Sequence, residues 1–151
     1  MISTEDLLAV KKDLTSDEGM RLRPYHDTKG YLTIGVGHNL DVKGISVRAA
    51  QVILEDDIAD TLVDLDRYVP WWHQLDQVRQ RALINMCFQL GIGSVREHTG
   101  LLAFERLLAA LRSGDWTGAY RETLDSQYGR EVPERADRVA NAFLKGDTDV
   151  S

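Results

Sequence analysis

Three residues near the N-terminus have types and spacing that suit acid–base chemistry. Glu18 and Asp27 are carboxylates separated by a spacer of eight residues, and Thr33 adds a hydroxyl after a spacer of five. Cleavage of a glycosidic bond requires one carboxyl group that holds a proton and a second that stays charged. Each residue also has an ordinary structural explanation: Glu18 as a charge at a helix end, Asp27 as a turn former and Thr33 as a β-former. The elements around the three residues must therefore decide between a chemical and a structural role.

The residues before Glu18 predict a helix over 3–18. Ser3 has the type of an N-cap, and Gly19 stands where helices often end. Apolar residues recur at helical spacing along one stripe, which Glu18 continues: Leu7, Val10 and Leu14. We expect this stripe to be buried and Glu18 to face the body of the protein. Burial and the negative end of the helix dipole would both favour its protonated form.

Asp27 begins a segment with turn composition, Asp27-Thr28-Lys29-Gly30. The flanks, 21–26 and 31–36, are β-prone, which predicts a hairpin. A carboxylate at such a turn is wet and should stay ionised. Alternation along the second strand places Thr33 on one face and Leu32, Ile34 and Val36 on the other. We expect the second face to be buried and Thr33 to point into an open groove.

Three ordered blocks of sequence carry a resemblance to a known family. The first runs from Glu18 through Asp27 and Thr33 to Gly35-Val36-Gly37-His38. The second is Asn85-Met86-Cys87-Phe88-Gln89-Leu90-Gly91, and the third comprises Ser126-Gln127-Tyr128 and residues 133–139. Together the blocks resemble the phage-type lysozymes, the T-even and lambdoid phage endolysin family of peptidoglycan muramidases (glycoside hydrolase family 24).

The resemblance implies a role for each matching residue. Glu18 would be the general acid, while Asp27 and Thr33 would position and activate the attacking water, which inverts the anomeric carbon. Arg135 would pair with Glu18 and favour its charged form, against the effect of burial. His38 would pair with an acid on the following helix, Asp57. The substrate would be contacted by Tyr31, Gly37, Asn39, Phe88 and Gln89.

The resemblance also implies a fold. The class is α+β and predominantly helical, in one lysozyme domain over residues 1–151 with two lobes. A small N-terminal lobe with the β-hairpin would cover about 15–45, and a long connecting helix about 46–69. A helical C-terminal lobe would cover about 70–146, with helix 3–18 packed against it.

Periodicity predicts the remaining elements. Apolar positions from Val47 to Val69 recur at helical period, and residues 77–90 read as a helix that is apolar almost all round. Asn85 in that helix would be a buried polar residue that needs partners, and Trp71, Trp72 and Cys87 read as core. Further helices are predicted over 101–111, 115–124 and 133–144. The polar end, 146–151, is expected to fray.

Composition limits the partners. The formal net charge of −6 argues against nucleic acid as the main partner, and no apolar run approaches the length of a membrane span. The polar, acidic start does not resemble a secretory signal, and one cysteine cannot form an intramolecular disulfide. The resemblance implies peptidoglycan as substrate, and the lack of phosphate-cradling glycines and of metal-ligand spacing predicts no cofactor or metal. The resemblance also implies a monomer held in the host cytoplasm until a holin gives access to the periplasmic wall.

Two other functions remain open at this stage. A lytic transglycosylase needs one acid but no partner that positions water, and it would leave Asp27 and Thr33 unexplained. A wall-binding module without turnover would need none of the three residues. End-group analysis of the products separates these alternatives, because a transglycosylase leaves a 1,6-anhydro end and a hydrolase leaves a reducing end.

Overall fold

The computed structural model describes residues 1–147, and residues 148–151 lie outside the described part, so the predicted fraying of the C-terminal end falls largely beyond it. The chain is α+β and mostly helical, as predicted, with one small sheet. It divides into two compact units, Met1–Val52 and Ile53–Ser151. Helix α3 begins in the first unit and ends in the second.

The first unit opens with helix α1, Thr4–Glu18. The Ser3 hydroxyl accepts from the backbone N–H of Asp6 at 3.0 Å, and the N–H of Gly19 donates to Thr15 O at 2.9 Å. Both predicted ends are therefore confirmed. The expected burial is not found within this unit, where no element covers the apolar stripe. Its residues are 41–50% exposed: Leu7, Val10 and Leu14.

The sheet has three antiparallel strands in the order β1 (Arg21–His26), β2 (Leu32–Gly35) and β3 (His38–Asn39). The predicted hairpin is confirmed, and the short third strand was not predicted. Thr33 lies on the central strand between Tyr25 and Asn39, its partners across the sheet. Directly opposite residues share a face. These neighbours leave Thr33 only 3% exposed.

The expected orientation of β2 is therefore wrong. Thr33 is buried, whereas Leu32 and Ile34 are only half-buried. Alternation of residue types gives the two faces of a strand but not which one is covered, and here Tyr25 and Asn39, opposite Thr33 on the two neighbouring strands, flank it on the covered face.

A short helix, α2 (Leu40–Lys43), follows β3 and was not predicted. The Asn39 side chain caps it by accepting from Val42 N at 3.0 Å. The Asp41 carboxylate accepts from Leu32 N at 2.6 Å, which ties α2 back to β2. Helix α3 (Val47–Tyr68) matches the predicted 46–69 to within one residue at each end.

The second unit is helical. After a 3-10 turn at Pro70–Gln74 come α4 (Gln77–Leu90), α5 (Glu105–Ser113), α6 (Trp116–Leu124), α7 (Gln127–Glu131) and α8 (Pro133–Lys145). A 3-10 turn at Leu101–Ala103 precedes α5, where the sequence predicted a helix from 101. The core draws on all of these elements. Its fully buried side chains include Leu65, Leu83, Met86, Leu101, Leu107, Leu111 and Phe143.

Two core predictions are confirmed in this unit. Trp72 is buried, with its indole N–H donating to Asp66 at 2.8 Å, and Trp71 packs against the core at partial exposure. Cys87 is buried, and this burial, with the nearby Asp64, raises the pKa of its thiol to about 11. The thiol is therefore protonated and inert at neutral pH.

Arg79 fastens the end of α8 to the start of α4. Its side chain is only 9% exposed, and it donates to Phe143 O at 2.7 Å and to Leu144 O at 3.2 Å. The guanidinium also pairs with Asp76 and lies 3.7 Å from the ring centre of Trp116. Asp76 accepts in turn from the N–H of Asp147 at 3.1 Å. Carbonyls at a helix C-terminus lack hydrogen-bond donors within the helix, and here the side chain of Arg79 donates to two of them.

Among residues 1–147, none of the helices has both the length and the apolar character that crossing a membrane requires.

Candidate functional site

Glu18 is the last residue of α1 and is exposed in the first unit. Its carboxylate lies against Gly37, in the turn between β2 and β3. A Cβ built on Gly37 would stand 3.0 Å from Oε2 of Glu18 and 3.1 Å from its Cδ. Gly37 has φ +63°, a backbone conformation that residues other than glycine rarely adopt. The backbone here is thus shaped to admit the Glu18 carboxylate.

Asp27 organises the hairpin turn with one of its two carboxylate oxygens. Oδ1 accepts from the backbone N–H groups of Lys29 and Tyr31, each at 2.9 Å. The backbone adds two further bonds, Asp27 N to Tyr31 O at 2.9 Å and Gly30 N to Asp27 O at 3.0 Å. Oδ2 has no hydrogen-bond partner among residues 1–147. The side chain is therefore fixed by one oxygen and can accept a proton or orient a water with the other.

The backbone of Tyr31 connects Asp27 to Thr33. Its N–H donates to Oδ1 of Asp27, and its carbonyl accepts from the Thr33 hydroxyl at 2.9 Å. The oxygen of Thr33 keeps its acceptor capacity, because a hydroxyl donates one hydrogen bond and can accept two. The five-residue spacing seen in the sequence thus corresponds to a direct hydrogen-bonded chain. Tyr31 as a whole is 42% exposed.

The other predicted residues of this unit have local roles. His38 is half-buried, and its Nε2 lies 2.5 Å from the carbonyl oxygen of Gly44. Asn39 uses its side-chain oxygen to cap α2, and its backbone pairs with Thr33. Both residues shape the segment that follows β2. The predicted contact of His38 with Asp57 stays a prediction.

In the second unit, Arg135 in the first turn of α8 is held by α4. Its Nε donates to Oδ1 of Asn85 at 2.8 Å, and its Nη2 donates to the carbonyl oxygen of Asn85 at 3.3 Å. Asn85 was expected to be buried, but it is exposed on α4 and finds its partner across 50 residues of sequence. The sequence marked both residues, yet it gave no indication that they contact each other.

Arg135 and Phe88 line one shallow depression of about 300 Å³ on this unit. Phe88 is 38% exposed. The floor is largely aliphatic, and the remaining lining residues are Leu54, Ile58, Arg81, Ile84 and Asn85. Gln89 is exposed on the next position of α4, and Asp57 is exposed on α3, where its backbone carbonyl accepts from Thr61 at 2.8 Å. An apolar surface edged by guanidinium and amide groups suits a ligand with both apolar and polar faces.

Tyr128 on α7 is a further polar group in this region that sequence reasoning did not assign. It is 2% exposed, and its hydroxyl makes no hydrogen bond of good geometry among residues 1–147. Burial raises the pKa of this phenol, and the nearby positive charges of Arg135 and Arg138 partly oppose the shift. The hydroxyl therefore lies close to two guanidinium groups without being firmly bound to either.

The comparisons with known proteins agree with the resemblance carried by the three sequence blocks. The phage lysozyme family model matches residues 15–138. The chain is 32% identical to the pre-baseplate central spike protein Gp5 of Enterobacteria phage T4, across 93% of this chain and 28% of that protein. It is 26% identical to a probable T4-type lysozyme 1 of Dictyostelium discoideum, across 91% of this chain and 95% of the relative.

A third relative is an endolysin of Acyrthosiphon pisum secondary endosymbiont phage 1. It is 31% identical, across 80% of this chain and 76% of that protein. The share of the relative that is matched differs widely among these proteins. The chain spans little more than a quarter of the spike protein and most of the Dictyostelium protein.

Proposed function

The chain belongs to the phage lysozyme family of glycoside hydrolases, and from this premise we propose that it cleaves bacterial peptidoglycan. The bond is the β-1,4 linkage between N-acetylmuramic acid and N-acetylglucosamine, and hydrolysis inverts the anomeric carbon. Glu18 donates a proton to the leaving oxygen. Asp27 and Thr33 hold and activate the water that attacks from the opposite side of the sugar.

One observation carries the proposal: the peptide groups of Tyr31 link Asp27 to Thr33. An acid alone would suffice for a transglycosylase, in which the sugar's own hydroxyl attacks. A hydrolase must orient a water for attack, and a carboxylate and a hydroxyl that are both hydrogen-bonded to the same residue can bind that water. Asp27 has one oxygen available to take the proton, and Thr33 has an acceptor site for the second hydrogen of the water.

In this mechanism Arg135, His38 and Asp57 have supporting roles. The substrate contacts are Tyr31, Gly37, Asn39, Phe88 and Gln89. The exposed aromatic residues suit the apolar faces of sugars, and Gly37 lets the glycan approach the backbone.

End-group analysis of digested walls tests the reaction. Purified peptidoglycan treated with the protein should release reducing ends without 1,6-anhydro ends, and NMR of the first-formed anomer should show inversion. Glu18→Gln should reduce the rate by about 10²–10⁴-fold, the range typical of general acid catalysis, with an unchanged melting temperature. Glu5→Gln, at the exposed start of the same helix, should keep wild-type activity.

The other outcomes would contradict the proposal in distinct ways. Products with 1,6-anhydro ends would make the protein a lytic transglycosylase. Retention of the protein on walls with no released ends would make it a wall-binding module. A retained anomeric configuration would leave hydrolysis standing and would exclude the direct attack of water assigned to Asp27 and Thr33.

We also propose that the protein acts as a monomer on the periplasmic wall after release from the host cytoplasm, which causes lysis of the host cell. Access would depend on a holin. Expression in a bacterial host should cause lysis only when the inner membrane is permeabilised, by a coexpressed holin or by chloroform. Prompt lysis without either would refute holin dependence, and light scattering would test the monomer.

A further inference from the structure

The helical unit carries a further pocket, which shares no lining residue with the depression beside Phe88 and Arg135. Its volume is about 340 Å³, within the range of about 300–1,000 Å³ that is usual for small-molecule sites. Part of the lining is apolar and includes Leu90, Ala103 and Phe104. Another part is polar and includes His98, Gln127 and Glu131. Such a lining suits a ligand with an aliphatic body and a polar end.

Glu131 and Gln127 leave two acceptor oxygens free at this pocket. Nε2 of Gln127 donates to Oε1 of Glu131 at 2.5 Å, four positions away on α7. Oε2 of Glu131 has no hydrogen-bond partner among residues 1–147. Gln127 donates through its amide nitrogen, so its carbonyl oxygen stays available as an acceptor. Of the described residues that line the pocket, Glu131 is the one with a formal charge at neutral pH.

His98 adds a third acceptor from the loop between α4 and α5, because a neutral imidazole carries one acceptor nitrogen. The backbone of His98 has φ +54°, and in the described part of the chain no other residue besides the glycines has a positive φ. Strained conformations of this kind cluster at ligand sites, where the surrounding structure maintains them.

The loop that carries His98 is tied at its base by backbone contacts. Ser94 and Thr99 exchange two hydrogen bonds, at 3.0 and 3.1 Å. Next to this pair the two sides of the loop are so close that a Cβ on Gly93 would collide with the carbonyl oxygen of Thr99. The backbone therefore holds His98 at the pocket before a ligand binds, and acceptors that are already in place reduce the cost of binding.

The charge and shape of the lining select the class of ligand. The lining holds a carboxylate and no lysine or arginine, so it favours a cation over an anion. A primary ammonium group has three N–H donors, one for each acceptor of Glu131, Gln127 and His98. A methylene chain behind the ammonium would bury apolar surface against Phe104. The set suits an alkylammonium better than a metal ion, since no cluster of three or more metal-binding side chains occurs among residues 1–147.

We propose that this pocket is a specificity site for the peptide part of the wall, and that it binds the side-chain ammonium of the diamino acid in an uncross-linked stem peptide. Glu131 pairs with the ammonium, and Gln127 and His98 accept its remaining hydrogens. The inference rests on the proposed function, which makes peptidoglycan the substrate. The three residues touch the peptide and none of the reacting atoms, so they lower KM and leave the chemical step unchanged.

Calorimetry with two soluble peptides tests the site apart from cleavage. The probes are L-alanyl-γ-D-glutamyl-L-lysyl-D-alanine and the same peptide with its lysine amine acetylated, which removes the charge. The wild-type protein should bind the free amine more tightly by about tenfold or more, because hydrogen bonds to charged groups are the strong ones. Glu131→Gln should lower the affinity for the free amine by about the same factor, with an unchanged affinity for the acetylated peptide and an unchanged melting temperature.

Substitutions on the loop separate the imidazole from the backbone that carries it. His98→Gly removes the imidazole, and glycine adopts φ +54° without strain, so the melting temperature should change little. Its affinity for the free amine should fall by about threefold or more. His98→Asn keeps an acceptor and tolerates the same backbone conformation, so its affinity should stay within about twofold of wild type. Glu97→Gln is the matched control, because it removes a carboxylate of the same loop that does not line the pocket, and it should match wild type.

Kinetics on purified walls connect the pocket to the substrate. Glu131→Gln should raise KM by about threefold or more and leave kcat unchanged, the pattern of an interaction that is equal in the ground state and the transition state. Acetylation of the wall amines should raise the KM of wild type by a similar factor. It should add nothing to the KM of Glu131→Gln, because the two changes remove the same ion pair.

The contrary results are distinct. Equal affinity of wild type for the two peptides would overturn the inference. An equal loss of affinity in Glu97→Gln would overturn it as well, because the effect would then be one of general charge. A wild-type protein that cleaves walls but binds neither peptide would refute the inference and leave the proposed function intact. A wild-type protein that binds the free amine through Glu131 but releases no ends from walls would refute the proposed function and leave the ammonium site standing.

Discussion

The carboxylate of Glu18 lies so close to Gly37 that a single added methyl group would stand 3.0 Å from its Oε2. The two residues come from the end of a helix and from the turn after a strand, 19 positions apart. Real Cβ atoms rarely approach other atoms so closely. Glycine at this position tolerates the positive φ and leaves the space in which the Glu18 carboxylate lies.

We expect Gly37→Ala to displace the Glu18 carboxylate and to lower kcat by about tenfold or more. Gly44→Ala is the matched control, because Gly44 also has positive φ, at +57°, but a Cβ there would meet nothing within 4 Å. Both substitutions should cost about 1–3 kcal/mol of stability through backbone strain. Kinetics at a temperature well below both melting points separates the two effects. Equal activity of the two variants would show that the approach to Glu18 has no catalytic consequence.

Asp27 combines a structural role with a proposed chemical one, and two substitutions separate them. Asp27→Asn keeps the oxygen that accepts from Lys29 and Tyr31, so the free energy of unfolding should change by less than about 1 kcal/mol. The charge is lost, and kcat should fall by about 10²-fold or more. Asp27→Ala should lose both activity and stability. Urea unfolding and initial rates measure the two quantities, and an active Asn variant would refute the chemical role.

Thr33 is buried and its hydroxyl donates to the carbonyl of Tyr31. The role of this hydroxyl can be tested by a substitution that removes it but keeps the shape of the side chain. Thr33→Val should cost about 1 kcal/mol through loss of that hydrogen bond. It should also lower kcat by about tenfold or more, because in the proposed mechanism the attacking water loses an acceptor. Thr33→Ser restores the hydroxyl and should recover most of the rate. If valine were as active as serine, the hydroxyl would have no part in the reaction.

The cluster around Arg79 predicts a dependence of stability on pH. Partial burial acts to raise the pKa of Asp76, but hydrogen bonds from Arg79 and Asp147 outweigh it, and the net pKa is lowered. A lowered folded-state pKa stabilises the protein above the unfolded value, about 3.9. That stability is lost as the pH falls from there through the folded-state value.

Urea unfolding between pH 7 and pH 2.5 measures this effect. Asp76→Asn keeps the oxygen that accepts from the backbone N–H groups of Arg79 and Asp147 but loses the charge that pairs with the Arg79 guanidinium. Its stability at pH 7 should be lower than that of wild type, and it should fall less steeply below about pH 4 because the side chain does not titrate. Asp56→Asn, an exposed change on α3, should retain the wild-type steepness. Identical curves for all three proteins would mean that Asp76 is not coupled to folding.

The hydroxyl of Tyr128 is buried without a well-formed hydrogen bond. Burying an unpaired polar group costs about 1–3 kcal/mol. Tyr128→Phe should therefore leave the free energy of unfolding unchanged or raise it by about 1 kcal/mol. Tyr120→Phe, on the half-buried face of α6, is the control and should be neutral. A loss of more than about 1 kcal/mol in Tyr128→Phe alone would mean that Arg135 binds the hydroxyl in solution.

The sequence by itself determined what depends on neighbouring residues. Ser3 and Gly19 set the ends of α1 because capping uses groups within a few positions of the chain. The turn at Asp27 follows for the same reason, since its carboxylate binds N–H groups two and four residues on. The period of the apolar residues predicted α3 and α4 almost to their ends. The three sequence blocks were sufficient to identify the family.

Only the tertiary structure decided which face of an element is covered and which distant groups meet. Thr33 is buried between Tyr25 and Asn39, its partners on the two neighbouring strands, and alternation along one strand carries no information about which face such neighbours cover. Asn85 meets Arg135 across 50 residues, and Arg79 reaches Phe143 across 64. Such contacts depend on how whole helices pack against each other, which is a collective result of the core and is not encoded at either contact residue alone.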